Sequence, residues 1–464
     1  MLNRREIVLL CLAFLISLPA VTTRLYASDE IEHFAWLRSL AFDRDVSFEN
    51  EYQYFYDAGV ARGEGFHETF LELTNETGRR INYAPIGAAV MWAPFYAAGH
   101  VWALVTGAPA DGFSKPYIAA IAYGSAFYGF AAVLMCVAIA RRVFGAQNGT
   151  LGASLAAWIG TPLVFYAYVA PGFGHAASAF CVSLFVWIWL RARDRWSTAD
   201  AIALGLAGGL MSLVREQDVL LVIGPGIDFL LHASRAMREP GGARRTITSA
   251  TAGVVSFVAG VTPQLMAYQA LNGHIGQTST AANKMSWSSP HGLQVLFSPA
   301  HGLFAWTPLA LLALAGLVLI AIRNDVGRRF VLGNDARRRF ALLALLMVAA
   351  QAYTSGVVES WTVAGSFGQR RFIALTPLLV IGLAGLLTAM RSTAARRMTI
   401  AAIGLCIWWN LGLMVQFGMH RMDRKTLTLA ENARVTFIEL PLEAPGIVWR
   451  YLTDRQSFYR QPRQ

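Results

Sequence analysis

Long apolar runs recur from one end of the chain to the other. They cover 7–23, 84–106, 117–140, 148–169, 176–190, 200–214, 218–232, 248–270, 304–322, 340–357, 372–390 and 399–418. Several reach the roughly 18 apolar residues that mark a helix able to cross a bilayer. The rest of the composition agrees with that demand. Of 464 residues 55% are hydrophobic and only 14% are charged, with a mean hydropathy of +0.43. Soluble domains carry about 25% charged residues. The sequence therefore predicts an all-α polytopic membrane protein, a bundle of about 11 transmembrane helices. The first run follows Arg4 and Arg5 and has small residues near its end (Ser17, Ala20, Ala27), as a signal peptide would. More spans follow and no soluble domain does, so an uncleaved first helix is expected.

The formal net charge of +11 does not point to nucleic acid. The arginines gather in short loops between apolar runs: Arg141/Arg142, Arg191–Arg195, Arg235–Arg245, Arg323–Arg339 and Arg391–Arg397. That is the positive-inside pattern, which reports orientation. With those loops inside, residues 27–83 form a large outer loop and the tail 421–464 also lies outside. Residues 1–420 read as one membrane domain that includes the outer loop. Two runs lie between the outer loop and Arg141, where parity allows an odd number of crossings. Either the run 84–106, which carries Pro85 and Pro94, is re-entrant or interfacial, or the Arg141 pair breaks the charge rule; the first is expected. Cys11, Cys136, Cys181 and Cys406 lie far apart within apolar runs and read as packing thiols.

The acids, histidines and aromatics concentrate in the outer segments, so function is expected there. The outer loop opens Ser28-Asp29-Glu30-Ile-Glu32-His33. Ser28 and Asp29 are good N-caps, so a helix should start there, with Asp29 and Glu30 within one turn of His33. A carboxylate partly shielded from water has a raised pKa, which suits a general base. The same run also reads as a plain acidic helix start favoured by the dipole. Tyr83-Ala-Pro85-Ile-Gly87 fits a helix mouth packed closely by other backbone. His175 follows a Pro171-Gly172 break between two spans. Arg215 ends a helix on the outer side, where the charge rule does not want it. It calls for Glu216, Asp218 or an anionic ligand as partner. His301 and Trp361 lie in later outer segments, and Arg370 and Arg371 stand at a helix N-terminus, a ready phosphate seat.

Taken together these segments resemble the GT-C superfamily of polyprenyl-phosphate-sugar-dependent glycosyltransferases, among them the protein O-mannosyltransferase and lipid A aminoarabinose transferase groups. Asp29-Glu30 looks like that family's acidic motif. Tyr83-Ala-Pro85-Ile-Gly87 looks like its Pro-Pro-x-Gly helix start, with Ala84 in place of one proline. Gly205-Leu-Ala-Gly-Gly-Leu-Met-Ser-Leu-Val-Arg215 looks like its small-residue helix ending in a cation. Ser366-Phe-Gly-Gln-Arg370-Arg371-Phe372 is similar to a motif of its bacterial relatives.

The resemblance implies a GT-C-like helical bundle with amphipathic juxtamembrane helices in the first outer loop. It implies inverting transfer of a sugar from a polyprenyl-phosphate donor to a lipid, glycan or protein acceptor, on the outer face of a bacterial inner membrane. Asp29 would be the base, with Glu30 and His33 orienting it. Arg215, Arg370 and Arg371 would hold the donor phosphate, and Tyr83, His175, His301 and Trp361 would line the substrate. Metal dependence differs among these groups, so the resemblance implies no particular cofactor; a divalent metal is compatible with it. A transporter or lipid flippase, or a non-catalytic scaffold, is the competing class. Transporters favour inverted repeats and mid-helix charges, and neither is visible here.

Overall fold

The structure is a computed structural model that describes residues 3–60, 65–146, 148–322 and 334–459. Among them there are helices and turns but no strands, only two isolated bridges. Eight helices are long and apolar enough to cross a membrane, which is compatible with a multi-pass membrane protein. Part of the basic stretch Arg323–Arg339 lies outside the described residues.

The first half of the chain contains α1 (Arg4–Ser17), α2 (Ser28–Arg38), α3 (Glu49–Asp57), α4 (Gly87–Thr106), α5 (Lys115–Phe144), α6 (Asn148–Ile159), α7 (Leu163–Tyr168) and α8 (His175–Ala192). Then come α9 (Thr198–Val214), α10 (Ile223–Ala236), α11 (Gly242–Asn272), α12 (Leu309–Ile322) and α13 (Asn334–Val357). The chain closes with α14 (Thr376–Ala389), α15 (Thr393–Gly418), α16 (Leu429–Arg434) and α17 (Leu440–Thr453). Apolar residues point outward along α1, α4 and α11 (Leu9, Ile16, Val105, Val254) as well as inward. An apolar surface of that kind belongs in lipid. Where α9 and α11 cross, Gly209 packs on the backbone of Gly260, the close approach that small residues allow between helices.

Ion pairs define one end of the bundle. Arg141, in the last turn of α5, holds Glu6 at the start of α1 at 2.6 Å. Arg142 holds Asp194 at 2.6 Å, and Arg191 holds Asp200 at 3.3 Å. At the opposite end α1 stops at Ser17 and a short turn through Pro19 follows. There the Thr22 N–H donates to the Tyr168 carbonyl at 2.7 Å, and Ser17 meets the Tyr168 hydroxyl. The outer-loop helices pack at that second end.

In the run 84–106, α4 continues unbroken through Pro94 for 20 residues. Its position still explains the parity problem. α4 lies antiparallel to α5, with the Tyr128 hydroxyl donating to the Met91 carbonyl at 2.8 Å and His100 2.6 Å from the Tyr117 hydroxyl. The start of α4 therefore lies level with Tyr128, about 20 Å along α5 from Arg141. From there α4 runs away from the arginine end.

Candidate functional site

Helix α2 is the floor of the candidate site, and its start is built differently from the sequence expectation. Neither Ser28 nor Asp29 caps it. Ala27 is the N-cap, and Glu30 reaches back to accept from the N–H groups of Tyr26 (2.7 Å) and Ala27 (3.2 Å). Its other oxygen accepts from the Gly172 N–H at 3.1 Å. Glu30 is fully buried, and Gly172 presses against it so closely that a side chain there would overlap the carboxylate. Burial pushes the Glu30 carboxyl up to about 7, against the pull of those three N–H donors. So Glu30 ties the outer loop to the turn between α7 and α8.

Asp29 is free of that work. Its carboxylate meets Arg370 at 2.8 Å and keeps 43% of its side chain exposed. Burial alone would raise its pKa, as the sequence reading expected. The Arg370 guanidinium outweighs burial and holds Asp29 below the usual carboxylate value. The raised carboxyl on this face is instead Glu32, which sequence reasoning did not select. Burial and the neighbouring Asp29 charge push it up to about 8, while the Tyr83 N–H binds it at 2.6 Å. The signal was present in the sequence: residues three apart on a helix share a face. His33 lies behind, edge-on to Trp92 with ring centroids 5.9 Å apart and its Nδ1 unpartnered. Burial pushes the imidazole down to about 4, so it is neutral near pH 7.

The helix mouth beside it is tight for a visible reason. A Cβ on Gly87 would collide with the backbone of Leu213 and Val214, the last turn of α9. That contact brings Arg215, the next residue, to the floor of the outer loop. Arg215 takes neither Glu216 nor Asp218 as its direct partner. Its guanidinium lies 2.5 Å from Nδ1 of His175, at the first turn of α8. Glu216 accepts from Gln277 at 3.2 Å, and Asp218 accepts from the Ser178 hydroxyl at 2.7 Å. Nε2 of His175 and one oxygen of Asp218 have no partner although both residues are buried. Tyr166 and Phe173 flank His175, and the Arg370 guanidinium sits 4.8 Å from the Phe173 ring centroid.

Asp29, Arg215, Arg370, His33 and His175 thus share one cluster, where Asp29, Arg215 and Arg370 all act on the charge of His33. Arg371 turns the other way, into the Ser355 carbonyl (3.1 Å) and the Ser360 hydroxyl (3.3 Å). His301 stacks on Trp306 and bonds the Arg424 carbonyl at 2.7 Å. Trp361 lies on His291. Gln369 donates to the carbonyls of both His301 and Trp361 at 3.1 Å, which fixes the segment leading into Arg370. Tyr83 carries Lys284 over its ring at 5.1 Å. Among the described residues no group of three or more His, Cys, Asp or Glu side chains is placed to hold a metal ion. Cys136 and Cys181 are fully buried, and all four thiols are free. No family model matches the chain, and no curated protein matches it in sequence.

Proposed function

We propose that this chain is a membrane glycosyltransferase that moves a sugar from a polyprenyl-phosphate donor to an acceptor hydroxyl. The observation that carries the reading is the pair at the centre of the cluster. Asp29 is ionised, partly open to solvent and fixed by Arg370, with Arg215 and two buried histidines beside it. In this reading the acceptor oxygen attacks the anomeric carbon and gives its proton to Asp29. The bond to the donor phosphate breaks, and its electron pair leaves on the phosphate. A single displacement of that kind inverts the anomeric centre. Arg215 and Arg370 face the charge that grows on the departing phosphate, where fixed cations in a shielded site are most effective. Glu32, protonated near neutral pH, leaves Asp29 as the negative group on its face.

The polyprenyl tail fits the apolar outer surface of the bundle, which lets the phosphate reach the arginines from the bilayer. The full transmembrane count of about 11 belongs to this reading, as does a GT-C-like arrangement. So does placement in a bacterial inner membrane with the arginine-rich loops inside and the site on the outer face.

The test is Asp29→Asn, purified and assayed with an undecaprenyl-phosphate-linked sugar and envelope acceptors. Transfer is expected to fall by roughly 10²–10⁴-fold, the usual weight of a general base, with the unfolding midpoint retained. Undiminished turnover by the variant removes Asp29 from the mechanism.

A further inference from the structure

The C-terminal segment is not a loose tail. Past Gly418 the chain turns and runs back along α15. Asn432 donates to Gln416 at 2.9 Å, Gln416 donates to the Thr436 hydroxyl at 2.8 Å, and the Trp408 indole donates to the Thr436 carbonyl at 2.9 Å. Thr436 therefore lies against Gly412, about 9 Å back from the end of α15. From there α17 crosses to α1, where the Tyr451 hydroxyl and the Arg455 guanidinium donate to the Ala20 carbonyl at 3.4 and 2.8 Å.

One side of this segment faces the protein through Leu440, Ala444, Ile447 and Tyr451. The opposite side repeats at helical spacing and is apolar: Ile438, Leu442, Trp449 and Leu452, exposed by 60%, 80%, 70% and 74%. A helix with apolar residues on both its inward and outward sides has no stable outward face in water. Its outward row joins apolar surfaces that already point away from the bundle, Leu405 and Trp408 of α15 and Leu12, Leu15 and Ile16 of α1. Its flank is polar, with Arg421 pairing with Glu439 at 3.0 Å and Glu443 at 2.5 Å. Apolar rows with an exposed Trp and a charged flank match helices that lie in the headgroup–acyl boundary.

We propose that residues 435–453 form an interfacial clamp. The outward row Ile438, Leu442, Trp449 and Leu452 is embedded in the lipid leaflet at the bundle end where α1 stops, and it joins α15 to α1 there. The occupant of this face is lipid acyl chain. The inference depends on the membrane reading alone and stands whether or not the chain transfers sugar.

Nitroxide labels at 442 and 452, with a control at exposed Thr426, test it. They are introduced into a Cys11→Ser, Cys406→Ser chain, which leaves the two buried thiols in place. In phosphatidylglycerol–phosphatidylethanolamine vesicles, the ratio of oxygen to water-soluble nickel-chelate collisions at 442 and 452 should exceed that at 426 by about tenfold. A ratio equal to that of 426 would put the row in water and overturn the proposal. Label–label broadening at 442 that vanishes on dilution with unlabelled protein would assign the face to a second copy and overturn it equally. As an independent reading, quenching by brominated lipid should drop measurably in Trp449→Phe relative to the parent; unchanged quenching counts against the clamp.

Discussion

The two ends of the bundle both bury arginines against a carboxylate, but they finish the job differently. At the arginine-rich end Asp228 of α10 engages Arg193 at 2.5 Å on one oxygen and Arg339 at 3.1 Å on the other. The Trp189 indole adds a bond at 3.0 Å, and Asp228 is 3% exposed. At the other end Asp29 has one arginine and keeps 43% of its side chain exposed. A carboxylate with cations on both oxygens holds helices together. One held by a single cation with an exposed side has room to meet a further group.

The largest expected effect tests the staple. Asp228→Ala should cost about 3–5 kcal/mol, because it strands the buried Arg193 guanidinium and unpairs the partly exposed Arg339, while transfer per folded molecule stays unchanged. Asp29→Ala should shift the thermal midpoint in detergent far less, since half-exposed pairs contribute under about 1 kcal/mol. Equal destabilisation by the two would erase the distinction between the ends. Next, Arg370→Ala should lower transfer by about 10²–10³-fold, as loss of a preorganised charge does, with Arg370→Lys recovering part of it. A loss no larger than that of Arg371→Ala would show that the cluster geometry does not matter. A smaller change is expected from Arg215→Ala: the KM for donor rises about tenfold and the KM for acceptor holds. The reverse pattern would move the phosphate elsewhere.

A further prediction concerns pH. Glu30 and Glu32 have folded values of about 7 and about 8 against an ordinary value of 4.5, so the folded chain holds protons that the unfolded chain has released. That stability is complete below pH 4.5 and is lost as pH rises through 7 to 8. The unfolding midpoint should fall across this window, and Glu30→Gln should flatten the fall. A midpoint rising with pH would contradict the burial of these carboxyls.

Much of this was legible before any coordinates. His175, Arg215 and Arg370 each stand at the edge of an apolar run, and Asp29 and His33 open the polar loop after the first run; such positions are local properties. Gly87 was readable as a close contact because Pro-x-Gly at a helix mouth has few other uses. The pairings were not legible. Asp29 and Arg370 lie more than 300 residues apart, and no spacing rule says that Arg370 turns to Asp29 while Arg371 turns to Ser355. Nor could burial be apportioned along Asp29-Glu30-Ile31-Glu32, where one carboxyl caps its own helix, one meets a cation and one is held protonated.

The sequence by itself determined the class of solvent. Apolar runs of bilayer length and arginines between them leave a helical bundle as the way to satisfy every backbone group. The tertiary structure decided which polar residues are finished and which are left open. That depends on the neighbours of each atom, and neighbours brought together by packing α2, α8, α9 and the segment before α14 are not encoded in any one stretch of chain.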